Sequence, residues 1–167
     1  SNQDLDASGC LICDAGKVNA PWTPVPGGKA ITYDFEGGSA QNWSLTNTVS
    51  PVGWSVSSKR AASGTSSLYY GNPAAMNYDT FGKANSGSAV TPSVTLTASK
   101  KAALHFSLYM DVELYIMADT LDVYVVDGAT TAKVWMKNFT ITKMKMWQEY
   151  SVNLSAYAGK TKPGCYA

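Results

Sequence analysis

The segment Ala103–Met117 constrains the fold more than any other part of the chain. Leu104, Phe106, Leu108, Met110, Val112, Leu114 and Ile116 take every even position, and His105, Ser107, Asp111 and Glu113 fall on odd ones. A helix would scatter these apolar residues around its circumference, whereas a strand puts them all on one face. The segment therefore reads as one long strand, or as two joined by a bend near Asp111. The same period recurs at Ile31, Tyr33 and Phe35, then around Trp43 and Leu45, Trp54 and Val56, and Leu68 and Tyr70. It returns at Val90, Val94 and Leu96, where Pro92 removes a ladder donor and marks an edge or a bulge. Leu121, Val123 and Val125 form a further strand closed by Asp127-Gly128, a hairpin signal. Val134 with Met136, Phe139 with Ile141, and Tyr150, Val152 and Leu154 complete the set. No segment reads as a helix. Many short strands between Gly, Pro, Asn and Ser turns predict an all-β antiparallel sandwich.

Charge narrows the function classes. Lys and Arg number 13 against 12 Asp and Glu in a chain of 167 residues. That balance, with Arg60 the only arginine, excludes a basic nucleic-acid surface and paired guanidinium clamps on phosphate. One histidine, His105, excludes a multi-histidine metal centre. Charged residues reach only 15%, and ten Tyr and five Trp accompany abundant Ser and Thr. This is the composition of a secreted or cell-surface β protein. No apolar run is long enough to span a bilayer.

Residues 1–28 read as an extended Pro/Gly-rich tail or linker, stiffest across Pro21-Trp22-Thr23-Pro24-Val25-Pro26. The sandwich is expected over residues 29–167. Cys10-Leu11-Ile12-Cys13 is half of a zinc-ribbon spacing, but only Cys165 remains to complete it. A disulfide in an oxidising compartment suits three cysteines of this kind better.

The order of the motifs resembles the MAM-like jelly-roll modules of bacterial secreted proteins, such as those attached to immune-inhibitor-A-type peptidases. The matching pieces are Tyr33-Asp34-Phe35-Glu36, Gly53-Trp54, Gly64-Thr65-Ser66-Ser67-Leu68-Tyr69-Tyr70 and Gly87-Ser88-Ala89-Val90-Thr91-Pro92. Leu104-His105-Phe106, Asp111-Val112-Glu113, Asp119–Val125 and Trp147 follow in the same order. The resemblance spans roughly residues 30–158. It implies a two-sheet jelly roll and a non-catalytic role in adhesion or ligand binding. It also implies that Asp34 and Glu36 hold a structural calcium, helped by loop carbonyls near Ser66 and Ser67. Jelly-roll termini often lie close together, so Cys165 is expected to pair with Cys10 or Cys13. The family's closing Gly-aromatic-x-x-Asp-Asp strand has no counterpart here. The expectation is that further chain or a neighbouring molecule supplies it.

Other residues carry candidate chemistry. Tyr69, Tyr78 and Trp135 are the aromatics expected to face outward and stack on sugar rings. Trp135 is placed outward because it opposes the register of Val134 and Met136. Asp111, Glu113, Asp119 and Asp122 could supply a glycosidase carboxylate pair, though Glu36, Glu113 and Glu149 are the only glutamates. His105 lacks a Gly-x-Ser-x-Gly elbow to serve. The sequence thus points to an extracellular, non-enzymatic module that binds a glycan or a surface protein. A second reading is a structural subunit of a fibre or matrix. In it, the apolar residues of Cys10–Asn19 (Leu11, Ile12 and Val18) pair with an open edge beside Leu154 of another copy. A third and weaker reading is a glycoside hydrolase-like enzyme.

Overall fold

The structure, a computed structural model, describes residues 30–97, 101–112, 119–137, 144–159, 161–162 and 165–166, the last two pairs in backbone only. The tail expected over 1–28, with Cys10 and Cys13, lies outside the described residues. So do Glu113 and the alternation at 139–141.

Strands β1 (Ser44–Asn47), β2 (Gly53–Ser57) and β3 (Ser67–Gly71) open the fold. β4 (Gly87–Val90), β5 (Val94–Thr95) and β6 (Ala103–Tyr109) follow. Then come β7 (Leu121–Asp127), β8 (Thr130–Lys137), β9 (Trp147–Asn153), β10 (Thr161–Lys162) and β11 (Cys165–Tyr166). The only helical pieces among the described residues are the 3-10 turns Glu36–Gly38 and Ser155–Tyr157. Every pairing is antiparallel. One sheet runs β1-β4-β11-β7-β8, and β2-β3, β6-β9 and β5-β10 form two-stranded sheets. The chain is therefore all-β and sandwich-like, as the alternation requires.

The core forms where two of these sheets meet. Val125 of β7 packs with Val152 of β9 and with Leu154. Leu104, Phe106, Val134 and Trp135 close around them. Phe106, Trp135 and Tyr150 interlock, with ring centroids 5.1 Å apart for Phe106–Trp135 and 4.9 Å for Trp135–Tyr150. Aromatic contacts of this kind add to simple area burial.

Several expectations need correction. The alternation at 31–35 is not a strand: residues 30–35 carry no ladder, and Phe35 adopts φ 58°. The Phe35 N–H goes to Gln41 Oε1 at 3.1 Å instead of to a neighbouring strand. Tyr33 and Phe35 share one face because both pack edge-on against Trp43, at 5.4 and 5.3 Å. Pro92 splits the expected fifth strand into β4 and β5, as a missing N–H should. Among the described residues the long alternating segment is a strand over Ala103–Tyr109, Met110–Val112 leave the ladder, and the rest of it lies outside the described residues.

Trp135 is also reversed. Val123 pairs with Trp135 but Tyr124 pairs with Lys133, so Val134 is one residue in excess and β8 bulges there. A bulge shifts the alternation by one. Trp135 joins Val134 on the core, and Met136 becomes the exposed residue at 46%. The hairpin beside it is as expected. Asp127 pairs with Thr130 across two residues, and Gly128 takes φ 59°, which glycine accepts without strain.

After Leu154 the chain returns through β10 against β5. It then places β11 between β4 and β7, with Tyr166 opposite both Val90 and Tyr124.

Leu154 is 6% exposed at the centre of the core. Leu154→Ala should cost about 2–5 kcal/mol, the range for a buried leucine that leaves a cavity. Equilibrium denaturation checks this, and a loss under about 1 kcal/mol would mean the cluster does not carry the fold.

Candidate functional site

The segment between β3 and β4 builds a cleft from turn chemistry. Asn72 Oδ1 accepts the N–H groups of Ala74 and Ala75, at 3.0 and 3.3 Å, while the Asn72 N–H meets the Asn77 carbonyl at 2.6 Å. Short polar side chains favour such local turns. A second turn follows: Asp79 Oδ1 accepts the Phe81 N–H at 2.7 Å, and the Thr80 hydroxyl is bonded to the Lys83 carbonyl. Asn85 ties this turn to the body. Its Nδ2 donates to the Tyr78 carbonyl and to Thr80 Oγ1, each at 3.2 Å, and its Oδ1 accepts the Tyr70 hydroxyl at 2.7 Å. Burial and the nearby Asp119 carboxylate raise the Tyr70 pKa, which keeps that phenol a donor.

The result is a cleft of about 300 Å³ lined by Tyr78, Asp79, Thr80, Gly82, Lys83, Ala84, Asn85 and Asp119. The Tyr78 hydroxyl donates to Asp119 Oδ2 at 2.8 Å across it. Phe81 stands beside the cleft at 94% exposure with φ 55°. A large aromatic in the left-handed region is uncommon, and here the Asp79 turn holds it out into water.

Of the three expected sugar-stacking aromatics, only Tyr78 reaches this cleft. Tyr69 lies on β3 opposite Ser55, with its hydroxyl folded back over Gly71, where a Cβ would find no room. Burial raises its pKa, opposed by the Arg60 guanidinium, and the Asp111 carboxylate adds to the rise. Arg60 itself stacks 4.0 Å from the Tyr109 ring centre. Trp135 is in the core. The three aromatics do not form one platform.

The candidate acids are held separately. Asp111 pairs with Lys145 at 3.3 Å. Asp122 Oδ2 receives Lys133 at 2.7 Å and the Tyr124 hydroxyl at 3.0 Å. Asp119 is bound by Tyr78, as above. His105 is half-buried on β6 opposite Ser151.

Asp34 and Glu36 do not share a strand face. Asp34 Oδ1 accepts the Glu36 N–H at 3.1 Å and Gln41 Nε2 at 2.6 Å. Glu36 reaches the segment the resemblance pairs with it, but it meets donors there. Its Oε1 accepts the N–H groups of Thr65 and Ser66, at 2.8 and 3.0 Å, and its Oε2 accepts the Thr65 hydroxyl at 2.5 Å. Gly64 turns at φ 64°, where a Cβ would strike the carboxylate. The loop presents N–H groups where calcium would need carbonyls. Two carboxylates also fall well short of the six to eight oxygens such an ion takes. As arranged, these residues do not fit a calcium cage, and among the described residues no group of three or more His, Cys, Asp or Glu gathers to form one.

Sequence reasoning missed Phe81, Asp79 and Asn85. The signal was the run Asp79-Thr80-Phe81-Gly82, a side-chain acceptor two residues before an aromatic and then a glycine. The sequences of known protein families, curated proteins and solved structures offer no match to this chain.

The donors around Glu36 hold its carboxyl below the ordinary 4.5, led by the Thr65 hydroxyl and then the two N–H groups. A depressed folded pKa contributes stability that is present above the unfolded value and lost as pH falls through the folded one. Stability should therefore drop as pH goes below about 4.5, and Glu36→Gln should flatten that part of the profile. Thermal denaturation from pH 7 to 3 measures it. An unchanged slope in the variant would refute the role of this carboxylate.

Proposed function

We propose that this chain is an extracellular, non-catalytic recognition or adhesion module of jelly-roll type, with a glycan or a surface protein as its ligand. The observation that carries this reading is the Phe81 turn. An aromatic left 94% exposed costs a folded protein apolar contact with water. Here four side chains, those of Asp79, Thr80, Asn85 and Tyr70, hold the turn that displays it. A preorganised aromatic beside a polar cleft suits a ligand with an apolar face and hydroxyl or amide groups. The non-catalytic part rests on Asp111, Asp119 and Asp122, each of which already has its own cationic or hydroxyl partner. The composition and the motif order support the extracellular setting and the kinship with MAM-like modules.

Binding to an array of glycans and extracellular matrix proteins tests the reading. At least one ligand should be retained, and Phe81→Ala should weaken it about tenfold, as the loss of an aromatic anchor does. An array without ligands, or a ligand indifferent to Phe81→Ala, would defeat it. Phe81 is exposed, so its replacement should leave melting unchanged.

The proposal assigns no role to calcium. Melting temperatures in millimolar calcium and in a chelator should coincide. A rise of several degrees with calcium would show that the ion displaces the donors around Asp34 and Glu36.

A further inference from the structure

The main chain around the cleft is already engaged. The Phe81 N–H is given to Asp79 Oδ1, and the Lys83 N–H to the Thr80 carbonyl at 3.4 Å. The Lys83 carbonyl takes the Thr80 hydroxyl, and the Tyr78 carbonyl takes Asn85 Nδ2. An extended peptide binds through main-chain donors and acceptors of its host, and here the turn uses them itself. Asn85 is engaged as well, its Oδ1 by the Tyr70 hydroxyl and its Nδ2 by the Tyr78 carbonyl and Thr80. Recognition in this cleft therefore falls to its charged side chains and to the ring beside it.

Those side chains select a chemistry. Asp79 uses Oδ1 on its own turn, and Asp119 uses Oδ2 on the Tyr78 hydroxyl. Among the described residues, each carboxylate thus keeps a second oxygen without a hydrogen-bond partner. Lys83 lines the same cleft and makes no ion pair among the described residues. An ionised carboxylate only accepts hydrogen bonds and an ammonium only donates them, whereas a hydroxyl does both. A ring bearing several hydroxyls can therefore donate to Asp79 and Asp119 and accept from Lys83. Two carboxylates against one ammonium leave an excess of negative charge, which repels an acidic ring. At about 300 Å³ the cleft is at the small end of ligand sites, a size that suits one ring. Phe81, 94% exposed beside it, offers a flat apolar surface to the C–H face of that ring.

We propose that the cleft binds one uncharged pyranose ring of a glycan. Two ring hydroxyls donate to Asp79 and Asp119, and an oxygen of the sugar accepts from Lys83. The charged partners make these bonds stronger than neutral ones and fix the orientation of the ring. The inference deepens the recognition reading, on which it rests for the Phe81 platform. It names the ligand class as saccharide and excludes uronic and other acidic sugars from the site.

The probes are the methyl pyranosides of glucose, galactose and mannose, with the methyl glycosides of glucuronic and galacturonic acid. Each is titrated into the whole chain and followed by amide NMR shifts. At least one neutral glycoside should move the Phe81, Gly82 and Lys83 amides, and the acidic glycosides should bind at least about tenfold more weakly than it does. Asp79→Asn keeps an oxygen for the Phe81 N–H and turns the other into a donor. It should weaken the neutral glycoside about tenfold, the scale of one charge-assisted hydrogen bond, with melting unchanged. If Asp79→Asn lowers melting, Asp119→Asn, which still offers an oxygen to the Tyr78 hydroxyl, decides in its place with the same expected loss. Still amides with every neutral glycoside, equal binding of the acidic ones, or full binding by the deciding variant would overturn the proposal. The same titration on Phe81→Ala separates the two readings. Glycoside binding that needs the carboxylates but ignores Phe81→Ala would sustain the cleft and sink the Phe81 platform. An array that retains only a protein, weakened by Phe81→Ala, would sustain the recognition reading and sink the sugar site.

Discussion

A β-strand in water has one face to bury and no partner of its own to bury it against. That constraint organises the chain. β7 and β8 turn Val125, Val134 and Trp135 toward β6 and β9, which turn Leu104, Phe106 and Val152 back toward them. Leu154, just past β9, seals the seam. Burial at this contact supplies the non-directional driving force. The ladders and turns then decide which residues enjoy it. The charged residues contribute little to this core. Lys133 with Asp122 and Lys145 with Asp111 are surface pairs, of the kind worth a fraction of a kilocalorie each.

Polar chemistry does its work in the connections. Asp34, Asn72, Asn77 and Asp79 each accept a backbone N–H two residues ahead. Together with Asn85, the last three give the long connection from β3 to β4 a defined shape without regular secondary structure. Glu36 acts at longer range, fastening the first described turn to the Gly64–Ser66 loop. The Glu36 carboxylate is thus an anion held by N–H groups of that loop.

The sequence made the strands legible and left their partners obscure. Period two located β2, β3, β6, β7 and β9 because each of them places alternate residues on a shared face. It failed at Ile31–Phe35, where Trp43 rewards the same spacing without a ladder. It failed again at Trp135, because a one-residue excess reverses the alternation and leaves no mark in local composition. Strand order is a non-local property, and nothing near Cys165 announces that β11 lies between β4 and β7. The cleft was legible only through Tyr78 and Asp119. Phe81 escaped notice because apolar residues are ordinarily read as core, and its exposure depends on a turn closed by Asp79 and Asn85.

The bulge at Val134 has a consequence for how the chain tolerates change in length. Elsewhere in β8, losing or gaining a residue would invert every side chain beyond it, carrying Trp135 off Phe106 and Tyr150. Removal of Val134 itself would leave Lys133 opposite Tyr124 and Trp135 opposite Val123, the pairings already present. The hairpin thus has one joint at which its two arms need not match residue for residue, and homologous chains that differ by one residue in this arm would be expected to differ there.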